Sequence, residues 1–155
     1  MSKLAIVPDG QGPLTPYLVT KDAAAAIAFY KTAFGATELF RLTEPSGKVG
    51  HAELRAFGGL FMLADEYPDF GALSPHTVGG SPVRLHFYLA DVDAAVKQAV
   101  NAGATLLRPV KDQFYGDRSG MISDPFGHQW FFATRKEQLS PAEMQARWSK
   151  VFEGA

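Results

Sequence analysis

The sequence predicts an α+β fold: two tandem β-α-β-β-β modules forming a curved mixed sheet with a shared concave cavity. Three observations carry this prediction. Phe57-Gly58-Gly59-Leu60-Phe61-Met62-Leu63-Ala64 matches Phe126-Gly127-His128-Gln129-Trp130-Phe131-Phe132-Ala133, 69 residues further on. Phe34-Gly35-Ala36-Thr37 matches Ala102-Gly103-Ala104-Thr105, 68 residues further on. Each Gly-Ala-Thr also follows an alanine-rich helical run. A chain of 155 residues is long enough for one compact domain or two small repeats fused into one. We expect a single domain over 1–155, with module 1 at 14–64, module 2 at 83–134 and a C-terminal helix within 135–155. A pseudo-twofold pair of modules usually shares one site.

Residues 1–13 carry Pro8, Asp9-Gly10 and Gly12-Pro13 and read as a loose arm. Leu14 to Thr20 is rich in β-branched and aromatic residues and reads as a strand, with Pro16 placing it at an edge or a strand start. Asp22 caps a helix from Ala23 to Phe34, whose Ile27, Tyr30 and Phe34 recur at helical spacing, and Gly35 stands where a helix-ending glycine belongs. Strands follow at Thr37 to Leu42, Lys48 to Ala56 and Leu60 to Ala64, with turns at Ser46-Gly47 and Gly58-Gly59. Residues 65–82, with Pro68, Gly71, Pro75, Gly79-Gly80 and Pro82, read as the linker.

Val83 to Ala90 starts the second unit. Asp91 caps a helix with an apolar stripe of Val92, Ala95, Val96, Ala99 and Val100, and Gly103 ends it. Strands are expected at Thr105 to Pro109, Gly120 to Ser123 and Gln129 to Ala133. Ser140-Pro141-Ala142-Glu143 is a capping box with proline at the first helical position. The helix it opens presents Met144, Trp148, Val151 and Phe152, an apolar face to bury on its own chain or on a partner.

Net charge is −1 with scattered charges, which points away from nucleic acid and from an anionic membrane surface. Cysteine is absent, so disulfides, thiolate catalysis and Cys-ligated metals are excluded. No apolar run approaches a membrane span and no leader is recognisable. A cytoplasmic protein is the expectation.

Five segments bear a family resemblance: Thr15-Pro16-Tyr17-Leu18, Ala26-Ile27-Ala28-Phe29-Tyr30, Phe34-Gly35-Ala36, Gly50-His51-Ala52-Glu53-Leu54 and Asp112-Gln113-Phe114-Tyr115-Gly116-Asp117-Arg118-Ser119-Gly120. With Asp124-Pro125-Phe126-Gly127-His128 before the last strand, they make the chain resemble the vicinal oxygen chelate superfamily, and within it the PhnB-like branch. That superfamily includes glyoxalases, extradiol dioxygenases, fosfomycin-resistance transferases and bleomycin-binding proteins. Its metal-dependent members chelate a divalent ion on the concave face of the sheets. The resemblance places the ligand positions at Thr15, Met62, Arg84 and Phe131. None is His or Glu, and a set containing Arg, Met and Phe cannot hold a divalent cation. No metal and no cofactor are expected there. The resemblance also implies a homodimer.

Strand alternation says what lines the cavity instead. Thr15 and Tyr17 share a face, as do His51, Glu53 and Arg55; Arg84, His86 and Tyr88 share another, and Gln129 joins Phe131. Glu53 and His86 are the candidate catalytic groups. Tyr17, His51, Met62, Arg84, Tyr88 and Phe131 are the candidate ligand contacts. An aromatic pocket with an arginine suits a small organic ligand carrying an anionic group. Each residue also has a plainer structural role open to it. Glu53 could pair with Arg84 or Arg55, the histidines could be hydrogen-bonded within the sheet, His76 and His128 could be structural or solvated, and Asp117-Arg118 could order its loop. Asp124-Pro125-Phe126-Gly127 reads as a β-turn.

Three functions stay open on these residues: a small-molecule binder without the usual metal site, an enzyme, or a binder that sequesters a toxic compound. The enzyme would be a metal-dependent lyase, isomerase or dioxygenase using a displaced His51/Glu53/His86 site, or a metal-free acid–base catalyst using Glu53 and a histidine.

Overall fold

A computed structural model describes residues 3–154. Module 1 is β1 (Tyr17–Thr20), α1 (Ala23–Phe34), β2 (Thr37–Thr43), β3 (Val49–Ala56) and β4 (Gly59–Asp65). Module 2 is β5 (Arg84–Tyr88), α3 (Val92–Asn101), β6 (Thr105–Asp112), β7 (Asp117–Ser123) and β8 (Gln129–Arg135). A short helix α2 (Pro75–Val78) lies in the linker, and α4 (Pro141–Glu153) closes the chain. The α+β class and the tandem modules are as the sequence predicts. The strands divide into two four-stranded mixed sheets, ordered β1-β4-β3-β2 and β5-β8-β7-β6. One parallel pair in each, β1/β4 and β5/β8, combines with antiparallel hairpins.

The duplication extends to register. Tyr17 lies opposite Met62, and His86 opposite Phe131; Glu53 lies opposite Met62, and Met121 opposite Phe131. Both helices begin on an aspartate whose carboxylate accepts the amide three residues on, Asp22 from Ala25 and Asp91 from Ala94. This satisfies one of the amides a helix start leaves unpaired. Alternation then sends Ala52, Leu54, Phe61 and Leu63 of sheet 1 and Ile122, Trp130 and Phe132 of sheet 2 into one shared core with α1 and α3. Tyr30 and Phe34 of α1 reach across to Trp130, at 5.7 and 5.0 Å between rings. Fully burying each such side chain contributes about 2 kcal/mol.

Several boundaries move for identifiable reasons. β1 starts at Tyr17 rather than Leu14, because Pro16 has no amide to give the ladder. β6 continues through Pro109 to Asp112, which an edge strand tolerates, with register shifts between Leu106 and Lys111. The β3–β4 turn falls on Phe57 and Gly58, at φ 50° and 80°, and Phe57 holds this left-handed geometry by packing on Phe87 and Phe132. Gly59 then opens β4, where an added Cβ would meet the Phe87 ring at 3.0 Å. The linker is more ordered than its glycines and prolines imply. It holds a 3₁₀ turn at Pro68–Phe70 as well as α2.

Candidate functional site

Each sheet turns one face to the shared core and one face away from it, and the candidate residues lie on the outward faces. On sheet 1, Phe40, Glu53, Met62 and Tyr17 form one row across β2, β3, β4 and β1. His51 sits beside that row. Its Nδ1 lies 2.8 Å from the Tyr17 hydroxyl and its Nε2 lies 3.2 Å from Glu53 Oε1. Gln11 of the N-terminal arm donates its side-chain amide to the other Glu53 oxygen at 3.2 Å. Arg55 donates to the Gly10 carbonyl at 2.9 Å, so the arm is held against this face. Glu53 is buried although its strand face is turned outward. Its partners are His51 and Gln11; among the described residues it forms no ion pair with Arg84 or Arg55, the alternative the sequence left open. Partial burial raises the Tyr17 hydroxyl above its ordinary pKa, so it carries its proton at neutral pH.

On sheet 2 the corresponding row is Arg108, Met121, Phe131 and His86. The Arg84 and Arg108 guanidinium carbons lie 6.0 and 5.7 Å from the centre of the Phe131 ring. His86 stacks on the same ring at 6.0 Å, and Tyr88 lies 4.7 Å from His86. Among the described residues neither arginine has a carboxylate within ion-pair distance. Two unneutralised guanidiniums and an imidazole around one aromatic ring make a flat cationic platform. Tyr88 donates to Asp117 at 3.0 Å, and this hydrogen bond raises its hydroxyl pKa.

The chain therefore gathers the predicted residues into two groups, Tyr17/His51/Glu53/Met62 and Arg84/His86/Tyr88/Phe131. No hydrogen bond or ring contact joins the groups among the described residues. His51 and Glu53 meet as the displaced-site idea requires, but His86 belongs to the other sheet. No group of three or more His, Asp or Glu side chains suited to a metal occurs among the described residues. Thr15, Met62, Arg84 and Phe131 offer one hydroxyl, one thioether, a cation and a phenyl ring, which does not fit the divalent ion of the metal-dependent relatives.

Other residues take structural roles. His76 and His128 bond the carbonyls of Pro125 and Val19, at 2.8 and 2.9 Å, tying linker and modules together. Arg118 bridges Asp93 and Asp112. Asp124 does more than shape its turn. Its carboxylate accepts from the Tyr30 hydroxyl at 2.5 Å, Trp130 Nε1 at 2.9 Å and the amides of Phe126 and His128. Burial, then the Asp124 charge, pushes the Tyr30 hydroxyl pKa well up. Sequence reasoning also missed Gln11, since an arm rich in Gly and Pro has no periodicity to mark it. It missed as well an apolar groove of about 490 Å³ between β1 and β5, lined by Leu14, Tyr17, Val19, Leu73, Val83 and Leu85. The linker supplies one wall of that groove, and the linker reads as featureless.

Paired β-α-β-β-β modules with polar outward faces define a class of small proteins built by duplication. Within it, the chain belongs to the glyoxalase/bleomycin resistance protein/dioxygenase superfamily, whose family model matches residues 11–132. It is 43% identical over 144 residues to an uncharacterized protein of Mycobacterium bovis, covering 91% of this chain and 95% of that one. It is 30% identical over 156 residues to an uncharacterized protein of Arabidopsis thaliana, covering 88% and 92% of the two chains. The solved structure of that plant gene product gives a TM-score of 0.62 over 79% of this chain and 98% of that one. TioX from Micromonospora sp. ML1 shares the fold at TM-score 0.63 and 24% identity, over 83% of this chain and all of that one. The PhnB protein of Bacillus cereus shares it at 0.60 and 19%, over 79% and 99%. Among the described residues no helix is long and apolar enough to cross a membrane.

Proposed function

We propose that this protein binds a small anionic organic molecule, without the usual metal of its superfamily, in a pocket completed by a second copy of the chain. The observation that carries the reading is the Phe131 platform, where Arg84 and Arg108 lie over one ring and, among the described residues, no carboxylate is within ion-pair distance of either. A carboxylate, sulfonate or phosphate on a flat molecule would pair with the guanidiniums while its body stacks on Phe131. The outward faces of sheets 1 and 2 lie on either side of one core, so one chain offers two half-sites. A twofold dimer that sets the sheet 1 face of one copy against the sheet 2 face of the other makes two complete pockets. In addition, α4 leaves Trp148, Val151 and Phe152 about half exposed.

Two measurements test this. Sedimentation at micromolar concentration is expected to give a dimer. A thermal-shift screen of aromatic carboxylates and sulfonates is expected to find stabilising compounds whose effect vanishes in the Arg84→Ala/Arg108→Ala double variant. A monomer, or compounds that stabilise the double variant equally, would refute the reading.

A further inference from the structure

On sheet 1 a phenol, an imidazole and a carboxylate stand in series. A carboxylate oxygen only accepts, so His51 Nε2 donates to Glu53 Oε1 at 3.2 Å. In the neutral ring Nδ1 is then the acceptor, and the Tyr17 hydroxyl 2.8 Å away donates to it. Gln11 occupies the second carboxylate oxygen and fixes its orientation. A hydroxyl next to a base, with the base oriented by a third group, is the arrangement that activates a weak nucleophile. The phenol end of the series is the accessible one, with Tyr17 53% exposed and Glu53 8% exposed.

The second module shows that the sheet does not need this series. By the 68- and 69-residue spacings, Tyr17, His51 and Glu53 correspond to His86, Ser119 and Met121. The same four-strand architecture forms there with no carboxylate–imidazole–phenol chain. Glu53 is buried on an outward face with no cation from Arg or Lys against it, a placement that costs stability and that an apolar residue would avoid.

We propose that Tyr17, His51 and Glu53 form a relay that makes the Tyr17 oxygen a nucleophile toward an acyl-type electrophile bound over sheet 1. As the oxygen attacks the carbonyl carbon, the Tyr17 proton passes to His51 Nδ1 and Glu53 balances the imidazolium. The bond to the leaving group breaks, the leaving group departs with the proton from His51, and a Tyr17 ester remains. Water then attacks the ester carbon, gives its proton to His51, and releases the acid as the proton returns to Tyr17. The relay rests on the ligand-site reading for its substrate, but its geometry lies within one module.

Phenylmethanesulfonyl fluoride tests it on the intact protein. Attack by Tyr17 forms an S–O bond and releases fluoride while the phenolic proton goes to His51. Tyr88 is the internal control, because it is 61% exposed and donates to Asp117 rather than to an imidazole. Exposure alone predicts that Tyr88 reacts at least as fast. The relay predicts Tyr17 faster on the order of tenfold or more by peptide-resolved mass spectrometry. His51→Phe should bring Tyr17 down to the Tyr88 rate, and Glu53→Gln should lower it part of the way, with far-UV circular dichroism confirming each fold. If His51→Phe does not fold, Glu53→Gln decides alone. The proposal is overturned if Tyr88 matches Tyr17 in the parent protein, or if a folded variant labels Tyr17 at the parent rate. Such a failure would leave the arginine-platform reading standing, because that is tested at Arg84 and Arg108.

Discussion

The two modules place opposite chemistry on the same scaffold. Across sheet 1 the row reads Phe40, Glu53, Met62, Tyr17; across sheet 2 it reads Arg108, Met121, Phe131, His86. Position by position, an acid has become a thioether and a phenyl ring has become a guanidinium. The inward faces did not diverge in this way, since Leu63 and Phe132 or Leu54 and Ile122 remain apolar and buried. Burial constrains the core rows in both copies. The outward rows were free to diverge, one to a phenol beside an imidazole and a carboxylate, the other to two guanidiniums around a phenyl ring.

The modules also differ in how they are joined, and the largest predicted effect lies there. Asp124 of module 2 accepts from Tyr30 of module 1, whereas the position equivalent to Tyr30 in module 2 is Ala99 and the position equivalent to Asp124 in module 1 is Ala56. The bond is thus a one-way bridge between halves. Asp124→Ala would strand the Tyr30 hydroxyl and Trp130 Nε1 in the core without an acceptor. We expect a loss of about 4 kcal/mol in urea unfolding. A loss below about 1 kcal/mol would show that this bridge contributes little to joining the halves.

Next in size is the contrast between the two helix anchors. In module 1, Asp65 at the end of β4 accepts from the amides of Ala23 and Val49, both at 2.7 Å. In module 2 the same place, 69 residues on, is Thr134, which accepts from the Val92 amide and donates to the Leu89 carbonyl, both at 3.0 Å. A carboxylate serving two amides is a stronger acceptor than a hydroxyl serving one. Asp65→Ala should cost about 2 kcal/mol and Thr134→Val about 1 kcal/mol by the same assay. Equal costs would mean that the anchors are interchangeable and that the asymmetry is confined to the outward faces.

What the sequence discloses and what it hides follow from range. The helix Ala23–Phe34, its Asp22 cap and the Gly35 stop are local signals and appear at the predicted positions. Strand alternation correctly pairs His51 with Glu53 and Arg84 with His86, because period two survives errors in strand ends. Register across strands, which brings Tyr17 to His51 and Arg108 to Phe131, is a long-range property with no local mark. The Tyr30–Asp124 bridge spans 94 residues and could not be read from either motif. Nor could the sequence say that one chain would carry its candidate residues on two separated faces. Both faces alternate identically whether they converge or diverge.

The smallest effect concerns the exits of the two modules, which also differ in charge. Module 1 leaves β4 on Glu66, and the equivalent residue of module 2 is Arg135. Glu66 accepts from the Ser74 amide at 2.6 Å and so folds the linker back against the sheet. The Ser74 hydroxyl, then the Thr77 hydroxyl and the Ser74 amide, hold its carboxyl down to about 2. The folded pKa is lower than the unfolded one, near 4.5. The stabilisation is therefore complete above the unfolded value and is lost as pH falls from there toward about 2. Glu66→Gln should lower the thermal midpoint at neutral pH and converge with the parent toward pH 2. The linker segment alone should report the change, as faster amide exchange at Ser74 and Thr77. If parent and variant keep a constant gap across that window, the carboxylate charge contributes nothing and the linker is placed by Pro75 packing against Gly127 instead.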